Sequence, residues 1–245
     1  LTEGVPDGDE LLFPVLTTAD PDACPCKRMS SGVTRWRRSA GTWQVVSYSP
    51  VTVDENVQEG RGAEPVPDGQ LWMEPSLVRD SDGSLLFTAR GAYGEVDNLL
   101  KVWRSRDGAE TWEEIIVIPN GKAQSTICLG RLADGRPYIV ANEYGRERDK
   151  LCVWPLNDAR NGLLVPVTAR DALEEFGPPP SGIVWFMDHP ASSTVQFGDG
   201  TWHHLLSYRI MDRGEHSGGD PPPESGQYVE KVTTDTTPKL VWRFE

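Results

Sequence analysis

The chain has 245 residues, with 24 Lys and Arg against 37 Asp and Glu, and therefore a net charge of −13 at neutral pH. Its 24 Gly, 20 Pro and 9 Trp, beside 38% hydrophobic residues, predict many short strands rather than long helices or disorder. Nucleic acid is disfavoured as a partner, because the densest basic cluster (Arg35, Arg37, Arg38) is interleaved around Trp36 as one strand. No run of about eighteen apolar residues marks a membrane span.

In chain order, the first predicted unit occupies residues 1–50. Asp7-Gly8 precedes the apolar run Glu10 to Phe13, and Val33 to Arg38, a turn at Ser39 to Trp43 and Val45 to Tyr48 follow. Between them, Cys24-Pro25-Cys26 is spaced too tightly for an ordinary disulfide and lacks the second pair and histidines of a zinc site. A second unit over residues 71–120 repeats the order: Asp82-Gly83 before Ser84 to Phe87, then Leu99 to Arg104, a turn at Ser105 to Trp112, and Ile115 to Ile118.

The third, 122–168, runs Thr126 to Leu129, Asp134-Gly135, Tyr138 to Val140, Leu151 to Trp154 and Leu163 to Val167; Cys128 and Cys152 pack there as small hydrophobes. Thr168 to Phe176 predicts the one helix, capped by Thr168, with Ala172, Leu173 and Phe176 on one face. The fourth unit, 183–245, has Ser193 to Phe197, Asp199-Gly200, Leu205 to Tyr208, Gln227 to Val232 and Lys239 to Phe244. Asp-Gly between β-prone runs signals a hairpin, and a tight primed turn calls for positive φ at both central residues. His203 and His204 fall within a strand and point to opposite faces. Segments 177–182 and 214–226 read as loops, and no linker divides the chain, which predicts a single domain.

Four-stranded meanders that cannot bury both faces alone must stack, and radial stacking gives an all-β propeller of four-stranded antiparallel blades. Sequential meanders fit this better than the Greek-key crossovers of a sandwich. Ser105-Arg106-Asp107-Gly108-Ala109-Glu110-Thr111-Trp112 resembles the Asp-box of sialidases and related BNR-repeat proteins, with Ala109 where that family prefers glycine. Glu74-Pro75, Asp82-Gly83 and Arg90 are similar to a sialidase-type blade opening, while the Phe-Arg-Ile-Pro motif is absent. The resemblance implies five or six blades. Four visible blades, beginning at Leu1 with no initiator methionine or leader, predict a smaller relative or part of a longer chain.

Propeller sites form where first-strand starts and second-strand ends converge. The repeats place Glu74, Gln124, Asp188 and His189 at the former, and Arg90, Asn142, Glu143, Tyr144, Tyr208 and Arg209 at the latter. Arg90 and Arg209 suit a bidentate grip on a substrate carboxylate, or equally an internal salt bridge. Glu74 suits a general base, a partner to a tyrosine nucleophile, or a clamp on an arginine. Asp188-His189 is the preferred acid/base pair, with a carboxyl raised by burial and an imidazole that titrates near neutrality. Glu143 beside Tyr144 matches a sialidase-style nucleophile, and Tyr144 also suits a platform for a sugar ring. Gln124, Asn142 and Tyr208 join the substrate-binding set. Trp36, Trp103, Trp154 and Trp242 are expected to pack between blades, with carbohydrate stacking as the second reading.

The resemblance implies a glycoside hydrolase of the sialidase-like superfamily, acting on an acidic or substituted glycan without a cofactor or metal. A non-catalytic glycan-binding propeller and a polysaccharide lyase using His and Tyr remain the alternatives. Localisation leans towards secreted or periplasmic.

Overall fold

The computed structural model describes residues 4–18, 29–52, 71–92, 99–119, 125–132, 135–143, 147–196, 198, 200, 202–214, 224–232 and 239–244. Cys24, Cys26, Gln124 and Tyr144 lie outside them. The strands form four four-stranded antiparallel sheets, each in plain sequence order. The first is β1 (Val5–Asp7), β2 (Glu10–Thr18), β3 (Met29–Ser39) and β4 (Thr42–Pro50); the second is β5 (Leu71–Arg79), β6 (Leu85–Ala92), β7 (Leu99–Ser105) and β8 (Glu113–Pro119). The third is β9 (Cys128–Arg131), β10 (Pro137–Asn142), β11 (Lys150–Pro155) and β12 (Val167–Asp171); the fourth is β13 (Trp185–Gln196), β14 (Trp202–Asp212), β15 (Gly226–Val232) and β16 (Lys239–Phe244). One compact unit, Leu1–Gly121, holds the first two sheets and another, Lys122–Glu245, the last two.

The Asp7-Gly8 and Asp82-Gly83 turns occur where expected, but their type differs; Asp134 and Asp199 of the other two lie outside the described residues. In the β1–β2 hairpin Asp7 lies opposite Glu10, and only Gly8 of the two central residues has positive φ, the pattern of a type II′ turn. Between β5 and β6 the loop is longer. The Asp80 N–H donates to the Ser84 carbonyl at 2.8 Å and the Gly83 N–H to the Asp80 carbonyl at 3.1 Å, with Gly83 alone in the left-handed region.

Strand alternation builds the core of the first unit. Leu85, Phe87 and Ala89, two residues apart on β6, share one face and pack with Trp72, Trp103, Leu12 and Val33. Phe87 meets Trp103 and Trp112 edge-on, at centroid distances of 5.9 and 5.6 Å. The outer strand β4 instead stays open, with Trp43, Val45, Val46 and Tyr48 all exposed. Trp103 is buried as expected, whereas Trp36 and Trp154 are half-buried; the Trp242 side chain lies outside the described set.

The Ser105–Trp112 turn is organised by one carboxylate. Asp107 Oδ1 accepts from Ser105 Oγ (2.8 Å), Glu110 N (3.1 Å) and Thr111 N (2.9 Å), and Oδ2 accepts from Thr111 Oγ1 (2.5 Å). These bonds, led by the Thr111 hydroxyl, favour the charged form and hold the carboxyl down at about 2. A folded value below the unfolded one adds stability that is present above the unfolded pKa and lost as pH falls through the folded one. Asp107→Asn is therefore expected to lower the melting temperature at neutral pH, and the gap to wild type should close as pH approaches 2. A gap that stays constant across that range would show that the carboxylate charge is not what holds the turn.

In the second unit Tyr138, Val140, Leu151 and Val153 pack against Trp185, Met187, Leu206, Tyr208, Ile210 and Tyr228. The sheets approach closely at Gly130, where a Cβ would lie 2.3 Å from the Tyr138 ring and 2.5 Å from Ser192 Oγ. Cys128 and Cys152 are buried free thiols, and desolvation pushes both up to about 12.

Two expectations are corrected here. The fourth strand of the third sheet is Val167–Asp171, not Leu163 to Val167; Leu163 makes only a single bridge to Leu156. The ladder of β11 thus captures the β-branched Val167-Thr168 pair, and the helix shrinks to α1 (Ala172–Phe176). Its N-cap is Asp171, whose side chain accepts from Glu174 N, rather than Thr168. Ala172 is buried and Phe176 packs on Trp185, but Leu173 faces solvent. No described helix is long and apolar enough to cross a membrane.

Candidate active site

The first strands of the second and fourth sheets carry the same irregularity. On β5, Met73 pairs with Arg90 and Ser76 with Thr88, so Glu74 and Pro75 together face the single residue Ala89. On β13, Asp188 pairs with Arg209 and Ala191 with Ser207, so His189 and Pro190 together face Tyr208. Both are β-bulges in which proline, lacking an N–H, occupies a position that has left the ladder. The residue before each proline is left-handed: φ is 54° at Glu74 and 52° at His189. Non-glycine residues avoid that region, and a following proline disfavours it further, so each bulge stores about 1–3 kcal/mol of strain. Strain held at two matching positions singles these residues out as functional candidates.

An arginine of the next strand holds a carboxylate at each bulge: Glu74, a bulge residue, in the second sheet, and Asp188, the residue before the bulge, in the fourth. Arg90 Nη1 donates to Glu74 Oε2 at 3.2 Å, and the buried Arg90 Nε has no partner among the described residues. In the second unit the grip is tighter: Arg209 Nε and Nη2 donate to the two oxygens of Asp188 at 2.8 and 2.7 Å. Asp188 Oδ1 also meets His189 Nδ1 at 3.1 Å, with the Asp188 side chain 3% and the imidazole 59% exposed.

The protonation of Asp188 departs from expectation. Burial pushes the carboxyl up, but the hydrogen bonds and charges of Arg209 and His189 outweigh it and hold it below the ordinary carboxylate range. Asp188 is therefore an ionised clamp and not a proton donor. An imidazole whose Nδ1–H points at a fixed carboxylate takes the tautomer with its lone pair on Nε2, the form that accepts a proton.

Other expected residues divide clearly. Glu143, just past β10, pairs with Lys150 at 3.0 Å and is half-buried. Tyr208 is not a substrate ligand: it neighbours Arg209 on β14, so alternation turns it the other way, into the core. There its ring stacks on Tyr228 at 5.7 Å and its hydroxyl accepts from Arg170 Nη1 at 3.1 Å. Asn142 is likewise buried, 2% exposed, and its amide serves backbone groups. Ser125, which the repeats place with Gln124 and Thr126 at a first-strand start, is 1% exposed and turns inward, where its Oγ accepts from the His189 N–H at 3.1 Å.

Four sequential four-stranded meander blades define the β-propeller class, here with bulged first strands that present polar side chains. The BNR repeat-like domain family matches residues 6–165, and the chain belongs to that family. No curated protein matches the sequence. Among solved structures, the chain is similar to a Penicillium chrysogenum α-L-arabinanase complexed with arabinobiose, with a TM-score of 0.60 at 14% identity over 96% of this chain and 63% of that one. It is also similar to the GH93 α-L-arabinofuranosidase of Fusarium graminearum complexed with arabinobiose, with a TM-score of 0.57 at 13% identity over 94% and 62%. A PL25 ulvan lyase matches with a TM-score of 0.55 at 13% identity over 98% and 57%. The chain thus spans less than two thirds of each. At these identities the likeness shows a shared fold.

Proposed function

We propose that this chain belongs to a carbohydrate-active enzyme, a glycoside hydrolase of the sialidase-like superfamily that acts on an acidic or substituted glycan. The observation that carries the reading is the repeated strained bulge, which sets Glu74 beside Arg90 and His189 beside Asp188, the carboxylate that Arg209 grips. Such bulges present proton-transfer groups, and a propeller with arabinan-cleaving and lyase look-alikes fits that role. Arg90, whose guanidinium makes one 3.2 Å bond to Glu74, is the better anchor for an anionic or hydroxyl-rich group; a substrate carboxylate would have to displace Asp188 from Arg209. The turn organised by Asp107 we read as an Asp-box, a device of the fold rather than of the chemistry.

One observation favours a second reading. A histidine held by a buried carboxylate suits abstraction of the proton next to a uronate carboxylate, the lyase reaction, as well as it suits hydrolysis. Incubation with fluorogenic glycosides, arabinan and uronate-containing polysaccharides separates the two. Release of reducing ends without ultraviolet absorbance is the expected result, and the rise in absorbance of an unsaturated uronate would select the lyase. Glu74→Gln and His189→Gln are expected to lower turnover by a factor on the order of 100 or more. Full activity in both would remove these residues from the reaction, and binding without turnover in wild type would leave a glycan-binding propeller.

A further inference from the structure

We propose that Asn142 and Ser125 are positioning residues that hold His189 in its left-handed conformation against Asp188 and thereby set the tautomer of its imidazole. The proposal deepens the reading of His189 as a proton-transfer group, but its test does not depend on that reading.

A bulge takes backbone groups out of the ladder, and buried backbone groups need partners. Here the partners converge on one amide. Asn142, the last residue of β10, donates from Nδ2 to the Met187 carbonyl at 2.9 Å and to the Lys150 carbonyl at 3.3 Å. Its Oδ1 accepts from the Ser125 N–H at 3.2 Å, and Ser125 Oγ in turn accepts from the His189 N–H at 3.1 Å. The residues on either side of Asp188 are thus tied to the third sheet and the segment that leads into it, Met187 through its carbonyl to β10 and His189 through its N–H to Ser125 just ahead of β9. Asp188 itself is gripped by Arg209. Three consecutive positions of β13 are fixed at the point where the strand leaves its ladder.

The consequence falls on the imidazole. Nδ1 reaches Asp188 at 3.1 Å from a backbone that most residues avoid, and a relaxation of φ would carry the ring away from the carboxylate. Asn142 and Ser125 are 2% and 1% exposed, so they act from beneath the site and not on a substrate. Asn142→Asp replaces the amide donor to the Met187 carbonyl by a carboxyl oxygen, and Ser125→Ala removes the acceptor of the His189 N–H, so the two ties are separately removable.

The test is nitrogen-15 NMR of the histidine side chains in the full chain, above the imidazole titration. In wild type the neutral His189 ring is expected as the Nδ1–H tautomer. Ser125→Ala should shift the tautomer ratio towards Nε2–H by roughly fivefold, the equivalent of one neutral hydrogen bond, and Ser125→Thr, which keeps the hydroxyl, should restore it. Asn142→Asp should act in the same direction. An unchanged ratio in folded Ser125→Ala, or an equal shift in Ser125→Thr, overturns the proposal. Amide hydrogen exchange in the wild-type protein provides the second measurement should the variants not fold: the His189 N–H is expected to be strongly protected, and rapid exchange overturns the proposal as well. Loss of the catalytic reading through an active His189→Gln leaves the tautomer result standing, so the two fail separately.

Discussion

Asp188→Asn is expected to cost about 3 kcal/mol of stability in the second unit and, on the proposed proton-transfer role of His189, to lower turnover by a factor up to that of His189→Gln, on the order of 100. The stability loss follows from Arg209, which donates two hydrogen bonds to a carboxylate only 3% exposed. Removing that charge leaves the guanidinium facing an amide that also carries donors. Because the Arg209 side chain is 35% exposed, water partly compensates, and the effect lies at the low end for a broken buried pair. On the proposed role, the activity loss would follow from the imidazole, which no longer has an anion to fix its tautomer. Acid titration supplies the sign. The Asp188 carboxyl lies below its unfolded value near 3.8, so its contribution is complete above that pH and disappears as pH falls through the folded value. Urea unfolding of wild type and variant should therefore differ most near neutrality and converge in acid. Equal midpoints at neutral pH would refute the clamp.

Phe87→Ala in the first unit is the second large effect, about 3–5 kcal/mol. Phe87 is fully buried between Leu85 and Ala89 on its own strand face and makes edge contacts with Trp103 and Trp112. Truncation removes the transfer energy of the ring and opens a cavity whose walls belong to two sheets and to the Ser105–Trp112 turn. Trp112 Nε1 also donates to Ser49 Oγ at 3.2 Å, so the turn is pinned to both sheets and collapse into the cavity is restrained. Phe87→Leu, which keeps most of the volume, is expected to cost about 1–1.5 kcal/mol. Urea denaturation followed by tryptophan fluorescence reads both. A loss below about 1 kcal/mol for the alanine variant would mean that this cluster is not the core of the unit.

Much of the fold was legible because its signals are local. Glycine after aspartate marks a turn, alternating apolar residues mark a half-buried strand, and the order of these signals repeats four times. Where two local signals competed, sequence alone chose wrongly. Thr168 is both a good cap and a β-branched residue, and pairing with β11 decided for the strand. Turn type was similarly out of reach, since Gly8 supplies the positive φ of more than one hairpin geometry and the flanking register selects among them.

For the candidate residues of each unit, the sequence by itself determined which stand near the matching ends of first and second strands: Glu74-Pro75 with Arg90 in one, and His189-Pro190 with Arg209 in the other. Their chemistry was decided by tertiary structure. Burial alone would raise the Asp188 carboxyl, and only the position of Arg209 and His189 at hydrogen-bonding distance reverses the sign. Tyr208 and Arg209 are neighbours in sequence, yet strand alternation sends one into the core and the other to the site. Asn142 and Ser125 carry polar side chains that suit a substrate as well as a backbone, and only their burial beneath β13 assigns them to the backbone. Turns and strand patterns depend on neighbours along the chain, whereas charge state and hydrogen-bond partnership depend on distances between strands that lie far apart in sequence.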